Sequence, residues 1–578
     1  MPTPEASRTG RNASFSLAVT GSGGSGAVTT GLILLEAAAR AGYFGMMTRS
    51  AGPQIRGGES AAMLRLGPEP LDCMDDRFDL LVGLDWLNVS RFVDEIPLDR
   101  DSLVLADPAA GAVPAALTQS GARVREIPFK TLADSVTDGR PNMVALGALA
   151  AAGGLPQDAL EAALNAVLSG KGGRVRQASA QCLALGYAQG MQTMAGAVAP
   201  ARHPVARWNI SGNEACGLGA LRGGVRFVAA YPITPASEIL EWLAPRLEQV
   251  GGALLQAEDE LASVNMIIGA SFGGVPALTA TSGPGLSLMM EGLGLAVASE
   301  TPVTVVDVMR GGPSTGIPTK SEQADLNIAL YGLHGDAPHL VVAPLNIGDC
   351  VFTTQWAVQL AEHLQTVAVV LSDQSLGQSR AISATPPNLE LPLARRTLAE
   401  PQGPYHRYDL TADHISPMTL PGTPQGMYTA DGLEHNRRGT PSSNASDHRE
   451  QLDKRLRKIT DYDFGAHWAE LSGDGDVALL TWGSSSGAVR EAAARLEALG
   501  LSVQIVALRL LMPLPQDALR RTLAGCGTVW VIEQNHGGQL FHYLKSLDAL
   551  PADARSLARP GPLPLRPGDI VAALTEEV

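Results

Sequence analysis

Short apolar runs alternate with helical segments along most of the chain, and a polar or glycine-rich turn follows each run. Phe15–Thr20, Val225–Ala230 and Val303–Met309 have the length and composition of strands that are buried on both faces of a sheet. The segments after the turns repeat apolar residues at helical spacing. This alternation predicts an α/β fold with largely parallel sheets.

Proline-rich polar stretches interrupt the alternation and divide the chain. The longest of them is irregular except for a charged helix, which we predict from about His448 to Lys458. The predicted parts are a disordered tail over 1–12, three α/β modules over 13–200, 201–395 and 471–578, and an extended linker over 396–470.

The amino-acid composition argues against several classes of function for this chain, as its charge, apolar runs and cysteines indicate. The 578 residues are 45% hydrophobic and 17% charged, and their formal net charge is −15. So acidic a chain lacks the basic field that nucleic-acid binding requires. Because the sequence contains no apolar run of roughly 18 residues and no leader pattern at its start, we expect neither a membrane span nor secretion, and hence a cytoplasmic location. The five cysteines are far apart, so we expect this chain alone to hold neither an iron–sulfur cluster nor a structural zinc ion.

The first turn that suggests a ligand site is Gly21–Gly26, between the strand at Phe15–Thr20 and a helix from about Ala27 to Ala41. Backbone N–H groups at such a helix N-terminus can cradle a phosphate. The glycines concerned are Gly23, Gly24 and Gly26. Their spacing is not a strict GxGxxG, so a simple tight turn is the alternative interpretation.

Arg49 and Arg56 flank a Pro/Gly loop farther along the same predicted module. Two guanidinium groups in this position could converge on a phosphorylated ligand. Alternatively, Arg56 pairs with Glu59 and braces the loop.

A second polar turn, Tyr231–Glu238, follows the strand at Val225–Ala230. Two prolines restrict φ on either side of Thr234, so the threonine hydroxyl is held in place. The turn lies between a strand and a helix, which is where open α/β sheets bind their ligands. We therefore predict an oxygen-binding group at Thr234.

Three carboxylates, Glu258, Asp259 and Glu260, open the next predicted helix. Acidic residues in a first turn are favoured by the helix dipole, so capping explains Glu258 and Asp259. Glu260 begins an otherwise apolar helix, and we expect it to point into a shielded site.

Arg310 stands at the end of the buried strand Val303–Met309. A guanidinium group in such a place needs an anionic partner. A substrate carboxylate would provide one, and an internal salt bridge to Asp307 or Glu322 is the alternative.

The motifs YPITP, QAEDE, TSGPG and RGGPSTGIPT follow one another between Tyr231 and Thr319. In this order and spacing they resemble the α subunit of the 2-oxoacid:ferredoxin oxidoreductases, most closely that of the 2-oxoglutarate enzyme. The N-terminal stretches GSGGSG and GPQIRGGES are similar to the γ module of the same family, here fused ahead of α. The resemblance implies, in chain order, a γ-type module associated with coenzyme A, a pyrimidine-side thiamine and substrate module, and a transketolase C-terminal-like module.

The resemblance also implies roles for residues that match the motifs. Thr234 and Arg310 are similar to the groups that hold the 2-oxo and carboxylate oxygens of the substrate, and Thr319 resembles a further substrate-side hydroxyl. Glu260 resembles the carboxylate that hydrogen-bonds the aminopyrimidine N1′ of thiamine diphosphate. Arg49 and Arg56, with the glycine turn, are the implied contacts of coenzyme A.

A partner chain is implied as well. Gly473–Asp476 precedes a strand, whereas a diphosphate-binding GDG motif follows one, so we interpret it as a turn. A separate β subunit would then supply Mg²⁺, the diphosphate side of the site and a [4Fe–4S] cluster, in an (αβ)₂ assembly. The implied reaction is the reversible, CoA-dependent oxidative decarboxylation of a 2-oxoacid, with electrons passed to ferredoxin. We expect ferredoxin to dock mainly on β, because a ferredoxin is generally acidic and so is this chain.

Two alternatives stay open at this point. The first is the same chemistry on pyruvate or on a branched-chain or aryl 2-oxoacid. The second is a non-catalytic regulatory protein that binds coenzyme A or a nucleotide. That interpretation predicts that Thr234, Glu260 and Arg310 do not converge and that the chain functions without a partner.

Overall fold

The computed structural model describes residues 14–52, 58–87, 89–192, 207–387, 389 and 391–576. The predicted tail over 1–12 and the predicted phosphate contact Arg56 lie outside the described residues. Three β-sheets with helices packed around them form this part of the chain.

Strands and helices alternate through the first two predicted modules, and both are numbered in chain order. Strands β1 to β6 are Phe15–Ser22, Phe44–Ala51, Glu59–Gly67, Leu80–Gly83, Leu103–Ala106 and Arg123–Glu126. Helices α1 to α6 are Ala27–Arg40, Ala115–Thr118, Phe129–Asp134, Pro141–Ala152, Gln157–Val167 and Gly173–Met191. Strands β7 to β14 are Arg207–Ser211, Phe227–Ala230, Ala253–Gln256, Ala277–Thr281, Val303–Met309, Leu340–Val342, Val367–Asp373 and Arg380–Ala384. Helices α7 to α13 are Gly212–Gly223, Ser237–Leu247, Glu260–Phe272, Gly283–Ala298, Leu326–Tyr331, Asp349–Leu364 and Gln374–Gln378.

The predicted linker contains helix α14, Ala445–Thr460, and the rest of the chain forms the C-terminal elements. Strands β15 to β20 are Ala469–Ser472, Val477–Trp482, Val503–Leu508, Leu510–Met512, Thr528–Glu533 and Arg555–Ala558. Helices α15 to α18 are Ser485–Ala498, Gln516–Leu523, Gln539–Ser546 and Pro567–Glu576.

The middle sheet carries the sequence motifs, and its strand order is β18-β12-β13-β11-β10-β8-β9. Its strands pair in parallel except for β18, which is antiparallel to β12. Every residue of β10, β11 and β13 is buried, as expected for parallel strands covered on both faces.

The other two sheets are mixed. The first has the order β6-β5-β4-β1-β3-β2-β14-β7, and it becomes antiparallel from β1 onward. The third has the order β15-β17-β16-β19-β20, with β15 antiparallel to its neighbour. The predicted α/β class with three modules is confirmed.

Three strands belong to a sheet that is formed mainly by another of the predicted modules. Strands β7 and β14 come from the predicted middle module but extend the first sheet, and β18 from the predicted C-terminal module extends the middle sheet. Backbone hydrogen bonds in a sheet can join segments far apart in sequence, and no local pattern reveals such pairings. The exact boundaries of the modules stay a prediction.

Buried ion pairs fasten the predicted linker to the middle module. Glu300, just after α10, is completely buried and pairs with Lys454 and Lys458 of α14. Burial lowers the pKa of Lys454 to about 7 and that of Lys458 to about 8, while the two lysines hold the pKa of Glu300 far below its usual value. The charged helix of the linker is therefore part of the packed structure.

Among the helices of the described residues, none combines the length and the apolar composition that crossing a membrane requires.

Candidate active site

The four central motifs follow four neighbouring strands of the middle sheet. Arg310 comes directly after β11, and Ser282–Gly285 leads from β10 into α10. Tyr231–Glu238 follows β8, and Glu260 begins α9 shortly after β9. Because these strands are adjacent and parallel, their carboxyl ends meet at one edge of the sheet. Open α/β sheets bind their ligands at this edge.

Arg310 contacts the turn that carries Thr234. Its Nη1 donates a hydrogen bond to the carbonyl oxygen of Thr234 at 2.5 Å. The next residue of the turn is held from α7, where Asn213 donates to the carbonyl oxygen of Pro235 at 2.9 Å. Thr234 itself is exposed at this edge of the sheet.

The guanidinium group of Arg310 keeps unused hydrogen-bonding capacity. It is only 7% exposed, and its Nε is buried with no hydrogen-bond partner in the described residues. Burial lowers the pKa of Arg310 from its usual value, while the nearby carboxyl groups of Asp325 and Asp307 act in the opposite direction. No salt bridge from Arg310 to Asp307 or Glu322 occurs within the described part of the chain. The guanidinium is thus placed to bind an anion from outside the protein.

Asp259 caps the helix that Glu260 begins. The Asp259 side chain accepts a hydrogen bond from the backbone N–H of Ala262 at 2.7 Å, which fulfils the expected capping role. Glu260, one residue further, is 7% exposed, and its carboxylate has no hydrogen bond or ion pair among the described residues. A nearly buried carboxylate in this state needs a polar partner.

The TSGPG turn approaches Glu260 closely at Gly285. A Cβ atom at Gly285 would lie 2.8 Å from Oε1 and 2.8 Å from Cγ of Glu260, and it would also collide with Oγ1 of Thr281. The absence of a side chain at Gly285 therefore leaves the space beside the Glu260 carboxylate. Glu260 and the start of α10 line one small region.

Thr319 lies on the loop that follows Arg310. The loop folds back because the N–H of Ile317 donates to the carbonyl oxygen of Gly311 and the N–H of Gly311 donates to that of Lys320. Thr319 lines a cavity of about 80 Å³. Arg49 also lines this cavity. The loop is tied to the first module there, because the Lys320 ammonium donates to Oγ of Ser50 at 2.6 Å.

Arg49 and the glycine turn are not brought to the same cavity. Arg49 forms an ion pair with Glu238, at the end of the turn that carries Thr234, and Gln378 donates to the same carboxylate at 3.1 Å. The structure thus places Arg49 beside the substrate-side turn. Its predicted role as a phosphate contact of coenzyme A stays a prediction.

Gly23, Gly24 and Gly26 line a separate cavity of about 720 Å³, between the start of α1 and helices α4 and α6. Gly26 has a φ of 95°, and a Cβ there would collide with the Asn142 side chain, so this position favours glycine for both reasons. Two basic residues, Arg140 and Lys171, share the lining of this cavity.

Sequence reasoning missed these two basic residues. They lie more than a hundred positions after the glycine turn, on segments without a recognisable motif. It also missed Asp325, whose carboxylate lies against the TSGPG turn at Gly283. A Pro at the first turn of the helix after Arg140 was the available hint that this segment starts a helix.

The described residues contain no group of three or more His, Cys, Asp and Glu side chains arranged to hold a metal ion. The candidate cofactor contacts in this part of the chain are Glu260 at the sheet edge and the glycine turn with its two basic neighbours.

Three family models match the chain in succession. The model described as pyruvate ferredoxin/flavodoxin oxidoreductase matches residues 16–189. The model described as pyruvate flavodoxin/ferredoxin oxidoreductase, thiamine diphosphate-binding, matches residues 218–454. A third, pyruvate:ferredoxin oxidoreductase core domain II, matches residues 475–553. The sheet edge with its carboxylate thus belongs to a thiamine diphosphate-binding oxidoreductase.

The names of similar curated proteins specify the class of oxidoreductase more closely. The 2-oxoglutarate synthase subunit KorA of Archaeoglobus fulgidus is 38% identical over 328 residues, which are 57% of this chain and 88% of that protein. The subunit of the same name from Methanothermobacter marburgensis is 34% identical over 370 residues, which are 63% of this chain and 96% of that protein.

A solved structure resembles almost the whole chain. The 2-oxoglutarate:ferredoxin oxidoreductase from Magnetococcus marinus, with 2-oxoglutarate, coenzyme A and succinyl-CoA bound, is 36% identical, with a TM-score of 0.91 over 98% of this chain and 99% of that chain. This chain belongs to the 2-oxoacid:ferredoxin oxidoreductase family. The predicted resemblance, with a γ-type module ahead of an α-type module, is confirmed.

Proposed function

We propose that this chain is the α-type subunit of a 2-oxoglutarate:ferredoxin oxidoreductase, with its γ-type module fused at the N-terminus. The enzyme converts 2-oxoglutarate and coenzyme A reversibly to succinyl-CoA and CO₂ and passes the electrons to ferredoxin. The observation that carries the proposal is the meeting of the Thr234 turn, Glu260 and Arg310 at one edge of the middle sheet. The choice of 2-oxoglutarate is supported by the names of the relatives and of the bound ligands in the solved structure.

Arg310 and Thr234 would bind the reacting end of the substrate. Arg310 uses Nη1 to hold the backbone of the turn, and its Nη2, which has no hydrogen bond in the described residues, would bind the substrate carboxylate. The exposed Thr234 hydroxyl would donate to the 2-oxo oxygen. Thr319, on the loop after Arg310, is the further proposed substrate contact, although the cavity that it lines is bordered by Arg49 and not by Arg310. Together these groups fix the orientation of the bond to be cleaved.

Glu260 fits the pyrimidine of thiamine diphosphate. Its carboxylate is nearly buried, has no partner in the described residues, and borders the space that Gly285 leaves open. Glu260 would hold a proton between its carboxylate and the N1′ nitrogen of the pyrimidine. Thiamine diphosphate, when bound, supplies the electron sink needed to break the bond between the 2-oxo carbon and the carboxylate. The apolar helix behind Glu260 shields this proton from water.

The cavity at the glycine turn suits the phosphates of coenzyme A. Backbone N–H groups at the start of α1 face the cavity, and Arg140 and Lys171 add positive charge to its lining. We therefore add Arg140 and Lys171 to the glycine turn as proposed phosphate contacts.

A β subunit would complete the enzyme. The names of the relatives describe them as subunits of 2-oxoglutarate synthase, which supports a partner subunit for this chain. Exposed apolar side chains flank the Glu260 region, namely Leu255 on β9, Leu261 on α9 and Leu288 on α10. Exposed apolar groups near a functional site are typical of a surface that another subunit covers. The β subunit would carry Mg²⁺, the diphosphate side of the site, the [4Fe–4S] cluster and most of the ferredoxin contacts, in an (αβ)₂ assembly.

The test is reduction of methyl viologen by the purified chain, with and without a co-expressed β subunit. 2-Oxoglutarate, pyruvate and a branched-chain 2-oxoacid are compared, and coenzyme A is omitted from a parallel set. We expect CoA-dependent reduction with 2-oxoglutarate only when β is present. Preference for another 2-oxoacid would change the substrate and keep the chemistry. If no 2-oxoacid supports reduction with β present, the proposed function is wrong.

A further inference from the structure

Two carboxyl groups that interact with Arg310 are not explained by the proposed catalytic roles: that of Asp307, which is completely buried, and that of Asp325, which is half-buried. Asp307 is in the fully buried strand β11, and Asp325 directly precedes α11. Both oxygens of Asp307 and Oδ2 of Asp325 are buried without a donor in the described residues. The two side chains are within hydrogen-bonding reach of each other. Since an ionised carboxylate can only accept, the Asp307–Asp325 pair needs at least one proton to form that bond.

The Asp307–Asp325 pair adjoins both the substrate arginine and the TSGPG turn. Asp307 is in β11, three residues before Arg310, which follows the strand, and both carboxyl groups interact electrostatically with the Arg310 guanidinium. A Cβ atom at Gly283 would lie 2.6 Å from Oδ1 of Asp325. The pair therefore adjoins two of the groups at the edge where the substrate is proposed to bind.

Few charged groups surround the pair in the described part of the chain. Besides Arg310, Glu322 acts on Asp325 there, and Glu322 in turn interacts with His536 of the C-terminal part. The first turn of α10, which packs against Asp325, brings no titratable side chain. If both members of the pair were ionised, their charge would exceed that of Arg310 and would repel an anionic substrate.

Burial is the main influence on how many protons the pair holds. Burial, together with the neighbouring Asp325 carboxyl, raises the pKa of Asp307 well above its usual value. Burial also raises the pKa of Asp325 to about 6, although the hydrogen bond with Asp307 and the charge of Arg310 act in the opposite direction. A raised pKa means that Asp325 is protonated below about pH 6 and ionised above it. Neither oxygen of Asp307 has a donor in the described residues, so Asp307 would keep its proton at neutral pH, and the pair would carry a single negative charge that balances Arg310.

We propose that the Asp307–Asp325 pair is the counterion of Arg310 and takes up a second proton from solvent when the substrate carboxylate binds. The inference rests on the proposed function. When the substrate carboxylate reaches Arg310, it replaces the pair as the balancing anion, so a second buried negative charge becomes unfavourable. The proton binds to the free oxygen of Asp325, and it is released when CO₂ and product leave. Both residues are positioning residues, because neither is placed against substrate.

Because substrate binding is coupled to proton uptake, the affinity for substrate depends on pH. Above about pH 6, binding requires a proton that the free enzyme no longer holds, so KM for the 2-oxoacid rises by up to tenfold per pH unit. The rate of the bound complex, kcat, is expected to change little over the same range, because the pair is protonated once substrate is bound.

The experiment is the pH dependence of KM and kcat for 2-oxoglutarate in the complete enzyme with β, from pH 5.5 to 8.5. Asp325→Asn is a neutral isostere of the protonated form. In this variant we expect a low KM that no longer rises with pH and a kcat within about threefold of wild type. Glu322→Gln removes a neighbouring carboxyl outside the pair, and we expect it to keep the rise of KM.

A second measurement covers the case in which the Asp325 variant does not fold. Calorimetry at pH 7 measures the heat of binding of glutarate, a dicarboxylate without the 2-oxo group, to the wild-type enzyme. The measurement is made in two buffers of different ionisation enthalpy, and the difference in heat gives the number of protons taken up. We expect an uptake of roughly half a proton to one proton per site.

The outcomes separate this inference from the proposed function. Turnover with a flat wild-type KM profile, or an Asp325→Asn variant whose kcat and KM shift equally at every pH, would overturn the role of the pair and leave the enzyme assignment intact. Glutarate binding without proton uptake would overturn it as well. Absence of turnover with any 2-oxoacid would instead refute the proposed function.

Discussion

Replacing Gly285 with alanine tests whether the missing side chain at this position creates the space beside the Glu260 carboxylate. Gly285 is in the first turn of α10, and an added Cβ would lie 2.8 Å from Oε1 of Glu260. Ordinary contact of a Cβ begins at 3.4 Å, so the carboxylate would have to withdraw by about 0.6 Å. Thr281 crowds the Cβ from the other side, so the helix cannot relieve the contact by moving toward β10.

Two opposing effects set the change in stability. Alanine has the higher helix propensity, which contributes up to about 1 kcal/mol in favour of the variant. Overpacking of a close contact costs about 1 to 3 kcal/mol. The free energy of unfolding should therefore fall by at most about 3 kcal/mol, and the variant should fold. Catalysis is more sensitive, since a displacement approaching 1 Å at a reacting group lowers kcat by about 10- to 100-fold.

The assay is viologen reduction by the complete enzyme, combined with thermal unfolding of the same preparation. Gly294→Ala provides the matched control, because Gly294 is in the same helix and its Cβ would meet no atom within 4 Å. We expect the control to be as active as wild type and slightly more stable. Wild-type kcat in Gly285→Ala would refute the argument that Glu260 must occupy its observed position.

Three further substitutions test the site and the linker. Glu260→Gln should retain thiamine diphosphate but lose nearly all turnover, since an amide cannot hold the proton at N1′; cofactor retention and kcat are measured together. Arg310→Lys should raise KM for 2-oxoglutarate by about 10- to 100-fold, because lysine cannot serve both the carbonyl of Thr234 and a substrate carboxylate. Glu300→Gln should lower the free energy of unfolding by about 3 to 5 kcal/mol, because Lys454 and its neighbouring lysine would be buried without a countercharge.

Each of these predictions has an outcome that contradicts it. Normal turnover in Glu260→Gln would remove this residue from the mechanism, and an unchanged KM in Arg310→Lys would exclude it as the carboxylate contact. For the linker, Asp138→Asn breaks an exposed pair with Arg174 and should change stability by less than about 0.5 kcal/mol. A Glu300 variant as stable as this control would show that the buried ion pairs do not fasten the linker.

Much of the protein follows from local sequence pattern. The alternation of apolar runs and helical segments predicts the α/β class, because strand and helix periodicities are properties of short segments. The motifs around Thr234, Glu260 and Arg310 each lie on a turn after a strand, and that position is also local. Capping by Asp259 was predictable for the same reason, since a cap acts on its own helix.

Only the tertiary structure decided which of these turns meet. The order β11-β10-β8-β9 places the substrate-side groups and Glu260 at one edge, and strand order depends on pairing between distant segments. Arg49 contacts Glu238, 189 residues away, so its partner could not be read from its own loop. The pairing of Asp307 with Asp325 and the basic lining of the glycine cavity have the same origin. Electrostatic contacts depend on distance in space, and the chain's local pattern carries no information about that distance.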